Sequence, residues 1–217
     1  MKSGLVIATA ALTLVLASAP ARLMAHASLP PPDASMLSTW PATLKQPPAT
    51  QLLLGSLRIQ FGKTTLDHVV KALGVGEIAH QGDAGNSTTW LCYTVPNGAE
   101  ASRLWLVSGE IDGGKYVTGI TAELVPDGQA LVAACPALPE AYRHVAIDNA
   151  VWIGMPAVQL SNSLGKPSHV AKSRRMFDYS RTFKTSGCTE AQQDSSLWVR
   201  IKDGKVAEIQ AYQTITC

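Results

Sequence analysis

Between His80 and Ser87 the segment HQGDAGNS places an imidazole, a carboxylate and a hydroxyl close together in the chain. These are the residue types of a general base, the group that orients it and a nucleophile, and proton transfer among them needs hydrogen-bond reach. Glycine, asparagine and aspartate also gather in turns for backbone reasons, and here a loop must carry a helix into a strand. The turn is therefore the expected reading, and a small hydrolase centred on His80 and Asp83 is the alternative. A second chemistry to weigh is phosphate binding. FGKTT, from Phe61, resembles the end of a phosphate loop, G-x-x-x-x-G-K-[ST], but position 57 holds Leu57 where the first glycine belongs, and Gly55 lies too far back. Lys63 is expected at the solvated start of a helix. SNSLG, Ser161 to Gly165, lacks the leading glycine of a nucleophile elbow and reads as helix. His68, His144 and His169 show no metal-ligand spacing, so neither a metal nor another cofactor is expected.

The elements that must position these residues come in two similar runs. FGKTTLDHVVKALG, Phe61 to Gly74, has an echo in IGMPAVQLSNSLGKP, Ile153 to Pro167. In the first run Thr64 is the expected N-cap with Asp67 as the capping-box partner, and Leu66, Val69, Val70 and Leu73 repeat at helical spacing before Gly74. In the second, Pro156 suits the first helical turn, Leu160 and Leu164 mark the buried stripe, and Gly165 and Pro167 end it. Strand-like segments follow each helix in matching order. WLCYTV pairs with MFDYSRTF, SRLWLVSGE with SSLWVRIKDG, and KYVTGITAEL with KVAEIQAYQT; the clearest hairpin turn is Asp203-Gly204. The expected fold class is α+β: two tandem repeats, 52–135 and 136–217, each a helix packed on a small antiparallel sheet of three to four strands.

The chain opens MKSGLVIATAALTLVLASAPARLMAHA, with Lys2, an apolar run from Leu5 to Leu16 and small residues at Ala25 and Ala27. This is the pattern of a secretory signal peptide over 1–27, and its apolar stretch is shorter than the roughly 20 residues that span a bilayer. Cleavage is expected after Ala27. The first cysteine is Cys92, too late for a lipidated N-terminus, so a periplasmic or secreted protein without stable membrane insertion is expected. Residues 28–51, which hold six of the 13 prolines, read as a stiff, extended leader in which Trp40 could dock on the body. Of 18 basic and 16 acidic residues, Lys2 and Arg22 would leave with the signal peptide, making the mature chain balanced in charge. Such a chain lacks the basic footprint that draws nucleic acid.

Four cysteines, Cys92, Cys135, Cys188 and Cys217, none in a C-x-x-C pair, favour two disulfides over a zinc site in an exported chain, with three connectivities open. Repeats of about 80 residues have thin cores that gain from staples. One bond per repeat, Cys92 with Cys135 and Cys188 with Cys217, is the expectation. Alternation in LWVRIK turns Leu197, Val199 and Ile201 toward the helices and Trp198, Arg200 and Lys202 the other way, as it opposes Leu104 and Leu106 to Trp105. An open second face would carry Trp105, Trp198, Arg200 and Tyr212, the aromatic and arginine mix of protein interfaces. The competing expectation is that these aromatics pack between the repeats or under the leader.

Leu-Gly-x-Pro at Leu164 to Pro167, the aromatic-x-Tyr of Phe177 to Tyr179 and the hairpin LWVRIKDGKVAEI resemble the outer-membrane assembly lipoproteins of the SmpA/OmlA type. Doubling of such a unit in an exported, cysteine-bearing chain is similar to the beta-lactamase inhibitor protein fold. The resemblance covers 52–217 and implies helices against one face of an antiparallel sheet, with the other face gripping another protein. The lipidated cysteine of the first family is missing and the cysteine placement of the second differs, so neither family's partner carries over. The function expected is a non-enzymatic, inhibitor-like protein-binding module using the sheet face or the groove between repeats. A structural envelope-assembly factor is a further alternative.

Overall fold

The computed structural model of the chain describes residues 28–32, 41–83, 87–97, 100–109, 113–125, 132–148 and 150–217. The expected signal peptide and Trp40 lie outside the described residues. Chain order runs β1 (Gln51–Leu54), β2 (Leu57–Gln60), α1 (Leu66–Leu73), β3 (Ala79–Gln81), β4 (Thr88–Asn97), β5 (Glu100–Gly109) and β6 (Gly119–Val125). It continues with β7 (Val145–Ile147), α2 (Ala157–Leu164), β8 (His169–Ala171), β9 (Arg174–Thr185), β10 (Cys188–Lys202) and β11 (Lys205–Thr216).

The expectation of two helix-on-sheet repeats, each with its own small sheet, is corrected by the strand order. A single antiparallel sheet of eight strands runs β3-β4-β5-β6-β11-β10-β9-β8, and a second sheet runs β2-β1-β7. The molecule is mostly β, with two short helices among the described residues. The last strands of the two halves, β6 and β11, pair with each other from Gly119↔Tyr212 to Glu123↔Glu208. The small sheet also crosses the halves, because β7 pairs with β1 through Leu52↔Ile147 and Leu54↔Val145. The physical reason is edge satisfaction: a strand left at the rim of a three- or four-stranded sheet presents unpaired N–H and C=O groups, and joining the two rims pairs them. Local pattern identifies a strand and is silent on its neighbour.

One face of the large sheet is closed by both helices and the small sheet. Leu91, Tyr93, Leu104, Leu106, Phe177, Leu197 and Val199 from the sheet share one core with Leu66, Val69 and Leu160 from the helices and Leu52, Leu54 and Ile59 from the small sheet. Helix α1 starts one residue later than expected. Thr65 is the N-cap, accepting from the His68 amide at 3.1 Å, while Thr64 Oγ1 accepts from the Gln60 amide, so Asp67 is not the capping-box partner. Gly74 ends the helix in the left-handed conformation. Two residues on, Gly76 has φ +108° and lies so close to the Tyr93 hydroxyl that a Cβ would meet it at 2.5 Å, while that hydroxyl donates to the Val75 carbonyl. Burial pushes the Tyr93 phenol far above its ordinary range. His80 and Gln81, the start of the His80–Ser87 segment expected as loop, belong to strand β3, which pairs with Thr88–Trp90.

Short segments cover both rims of the large sheet. Beyond β3, Thr94 on β4 donates its amide to Pro136 and accepts from the Leu138 amide, and its hydroxyl donates to the Cys135 carbonyl. Beyond β8, the Asp178 carbonyl on β9 accepts from the amides of Thr43 and Leu44, and its amide donates to Ser168 Oγ. At its end the proline-rich segment packs inward: the Ala49 carbonyl accepts from Ser195 Oγ, and Thr50 donates to Asp148 from both amide and hydroxyl.

Two disulfides join Cys92 to Cys135 and Cys188 to Cys217, and among the described residues no cysteine is free. Disulfides persist in oxidising compartments. Among the described residues no helix is long and apolar enough to cross a membrane. The two bonds differ in access, because Cys92 and Cys135 are 2% and 1% exposed whereas Cys188 is half-buried and Cys217 exposed. Since thiolate attack needs access to sulfur, mild reductant under native conditions is expected to open Cys188–Cys217 first. Alkylation followed by peptide mass mapping reads the order, and early labelling of Cys92 would contradict it.

Candidate functional site

The alternation that sends leucines and valines into the core sends a second set of residues to the sheet's other face. Cross-strand register lines them up in rows. One row runs Cys92, Trp105, Thr121, Gln210, Trp198, Met176 from β4 to β9. The next runs Arg103, Glu123, Glu208, Arg200, Arg174, and on the opposite side of the first lie Val107, Gly119, Tyr212, Ser196 and Asp178.

The two expected tryptophans occupy the same row in different surroundings. Trp105 is 1% exposed and packs with Trp90, Val107 and the Cys92–Cys135 disulfide, and Leu29 of the proline-rich segment lies against that cluster. Its indole N–H donates to the Leu29 carbonyl at 2.9 Å. Trp105 thus lies under the leader. Trp198 is half-buried, with the Arg174 guanidinium 4.9 Å from its ring centre, a cation–π contact. Arg103 sits 5.8 Å over Trp105 in the same manner. Between the tryptophans, Thr121 Oγ1 and Gln210 Oε1 are buried without a hydrogen-bond partner. Arg200 donates from Nε to Glu208 at 2.8 Å, and Tyr212 is buried one row away, so the four expected face residues share a face without equal access to it.

The charged row was not identified from sequence apart from Arg200. Alternation alone could have found Arg103, Glu123 and Glu208 on the outward side of their strands, but their adjacency depends on the β6–β11 register. Glu123 faces Glu208 directly, with Arg103 and Arg200 on the far side of each. Burial raises the Glu123 carboxyl above its ordinary value; Glu208 adds to the rise, and Arg103 and Arg200 oppose it.

The HQGDAGNS cluster takes a different form. His80 Nδ1 is 3.0 Å from Thr89 Oγ1 and Nε2 is 3.2 Å from the Gly82 carbonyl, which ties the ring to the β3–β4 edge. Asp83 is exposed, and among the described residues no hydrogen bond joins His80 to Asp83 or Ser87. Ala84, Gly85 and Asn86 lie outside the described residues. Lys63 is exposed just ahead of α1, and Ser161 and Ser163 are on α2. Among the described residues no three His, Cys, Asp or Glu side chains come together as a metal site. No protein-family model, curated protein or solved structure matches the chain.

The Glu123 environment has a measurable consequence. A carboxyl raised above 4.5 in the folded state adds stability that is fully present below 4.5 and is lost as pH rises through the folded value. Glu123→Gln keeps the neutral form at every pH. Denaturant melts are expected to show this variant more stable than the parent at about pH 7, with the difference vanishing near pH ~4. A variant less stable at neutral pH would mean that the arginines outweigh burial.

Proposed function

We propose that this protein is an exported, non-enzymatic protein-binding module whose outward sheet face, on the β9–β10–β11 side, grips another protein. Export to the periplasm or beyond is supported by the signal-peptide pattern of residues 1–27 and by two disulfides.

The observation that carries the reading is the contrast between Trp105 and Trp198. On the β4–β5 side the face already holds an extended peptide, its own leader, through an indole-to-carbonyl hydrogen bond. On the β9–β10 side Trp198 stays half-exposed, stiffened by Arg174 and bordered by the Arg200–Glu208 pair. A rigid aromatic with a stacked arginine offers large contact area at little entropic cost, the make-up of an interface hot spot.

Retention of an envelope protein by the immobilised chain, lost on Trp198→Ala, tests the reading. The substitution is expected to weaken the complex by about 2 kcal/mol or more while stability changes little. Normal binding by a variant destabilised by about 3–5 kcal/mol would make Trp198 part of the packing and place the contact elsewhere.

A further inference from the structure

Past Asp178 the rim of the large sheet at β9 loses its cover. Strand β9 has 12 residues, whereas its outer neighbour β8 has three, paired only with Arg174, Arg175 and Met176. At Asp178 the outward backbone groups are still taken, the amide by Ser168 Oγ and the carbonyl by the amides of Thr43 and Leu44. In an antiparallel ladder, residues that turn both backbone groups toward one neighbour alternate with residues that turn them away. Ser180, Thr182 and Lys184 are therefore in phase with Asp178, with N–H and C=O directed away from β10. None of these groups has a partner among the described residues.

This end of the sheet is built as an arm. Ser180, Arg181, Thr182, Lys184 and Thr185 are exposed, and no residue of 180–194 or 213–217 belongs to the common core. What holds the arm is its strand pairing and the Cys188–Cys217 disulfide, which ties the start of β10 to the chain end after β11. A strand held in this way is ordered before it meets anything, so little entropy is lost when it pairs. Exposed edges are commonly blunted by a proline or a bulge. The free stretch of β9 has no proline, and the bulge between Cys188 and Ala191 sits on β10.

We propose that this edge pairs with the same edge of a second copy, β9 against β9, antiparallel about a two-fold axis at Thr182. Bonds form only in a register that sets outward-turned residues opposite one another. Thr182 stands midway between Asp178, where the cover ends, and Ser186, where the hairpin turns, so an axis there uses the whole free stretch. Thr182 then faces Thr182, and Ser180 faces the second copy's Lys184, each pair exchanging two hydrogen bonds. The side chains agree with this register. Arg181 comes opposite a Phe183, the residue whose ring it already stacks on at 4.9 Å in its own chain, and no two like charges are directly opposed. Such self-matching about one residue is what an isologous contact requires, and it identifies the occupant as another copy of the chain. The axis is perpendicular to the sheet, so both Trp198 side chains lie on one side of the dimer. The pairing uses no residue of the Trp198 face and does not rest on the protein-binding reading.

Sedimentation velocity of the purified, disulfide-intact chain over a micromolar to submillimolar range tests the proposal. A dimer fraction that rises with concentration is expected. Thr182→Lys puts two cations on the axis and is expected to weaken the dimer by about fivefold, as is Thr182→Glu, whereas an equimolar mixture of the two variants associates at least as well as the parent. Thr182→Pro removes the amide on the axis without touching the β9–β10 ladder, and is expected to abolish the dimer. If the proline variant fails to fold, the Lys and Glu variants decide. Hydrogen exchange at Ser180, Thr182 and Lys184 is expected to slow as concentration rises. A monomer throughout the range, a dimer indifferent to both Thr182→Lys and Thr182→Glu, or a mixture that associates no better than either variant alone would overturn the pairing.

Discussion

Five consecutive residue pairs between β6 and β11 hold the two halves of this chain in one sheet. Everything on the outward face depends on that seam. It sets Thr121 and Gln210 between Trp105 and Trp198, and it sets Glu123 against Glu208. Gly119 makes the close approach possible at one end, since a Cβ there would come within 2.5 Å of the Ala211 carbonyl oxygen and 3.0 Å of the Tyr212 side chain. Ile120, Ala122, Ile209 and Ala211 on the inward side of the same strands enter the common core, so the seam joins hydrophobic layers as well as backbones. Crossing of β7 onto β1 adds a second link of the same kind on the other side of the core.

The two faces of the sheet then take on different work. The inward face buries aliphatic residues against two eight-residue helices, too short to cover eight strands, and the small sheet covers part of what the helices leave. On the outward face, tryptophans, arginines and glutamates stand in adjoining rows. Residues 28–32 of the proline-rich segment cover Trp105 through Leu29, and Thr43 and Leu44 donate to the Asp178 carbonyl at the far rim. Pro30, Pro31 and Pro32 suit the first of these places, because they lack N–H groups that need partners.

Much of the local structure was legible in the sequence. Period-two alternation located the long strands β4, β5, β6, β9, β10 and β11, and Asp203 and Gly204, both at positive φ, form the expected tight turn. Glycine after Leu73 marked the end of α1. Three-residue strands such as β3, β7 and β8 carry too few residues for a period to show, so they were missed. The sheet's unity was illegible for a different reason: alternation fixes which side a residue faces, and nothing local says which rim meets which. For the same reason Trp105, Trp198, Arg200 and Tyr212 could be assigned to one face and the leader named as one possible cover, while the choice of Trp105 as the residue covered and the run of Arg103, Glu123 and Glu208 could not be read. His80 was read by residue type alone, and its partners, Thr89 and Gly82, come from the strand pairing that sequence periodicity did not reveal.

Native-state hydrogen exchange along the seam tests the unity of the sheet most directly. If β6 and β11 join the halves into one cooperative body, the protected amides among Ile120, Ala122, Ile209 and Ala211 exchange only through global unfolding. Their opening free energies then equal those of the best-protected amides in β5 and β10, and denaturant gives one transition. Seam amides that open at clearly lower free energy, with each half retaining its own protected core, would contradict a single sheet and return the molecule to two separate units.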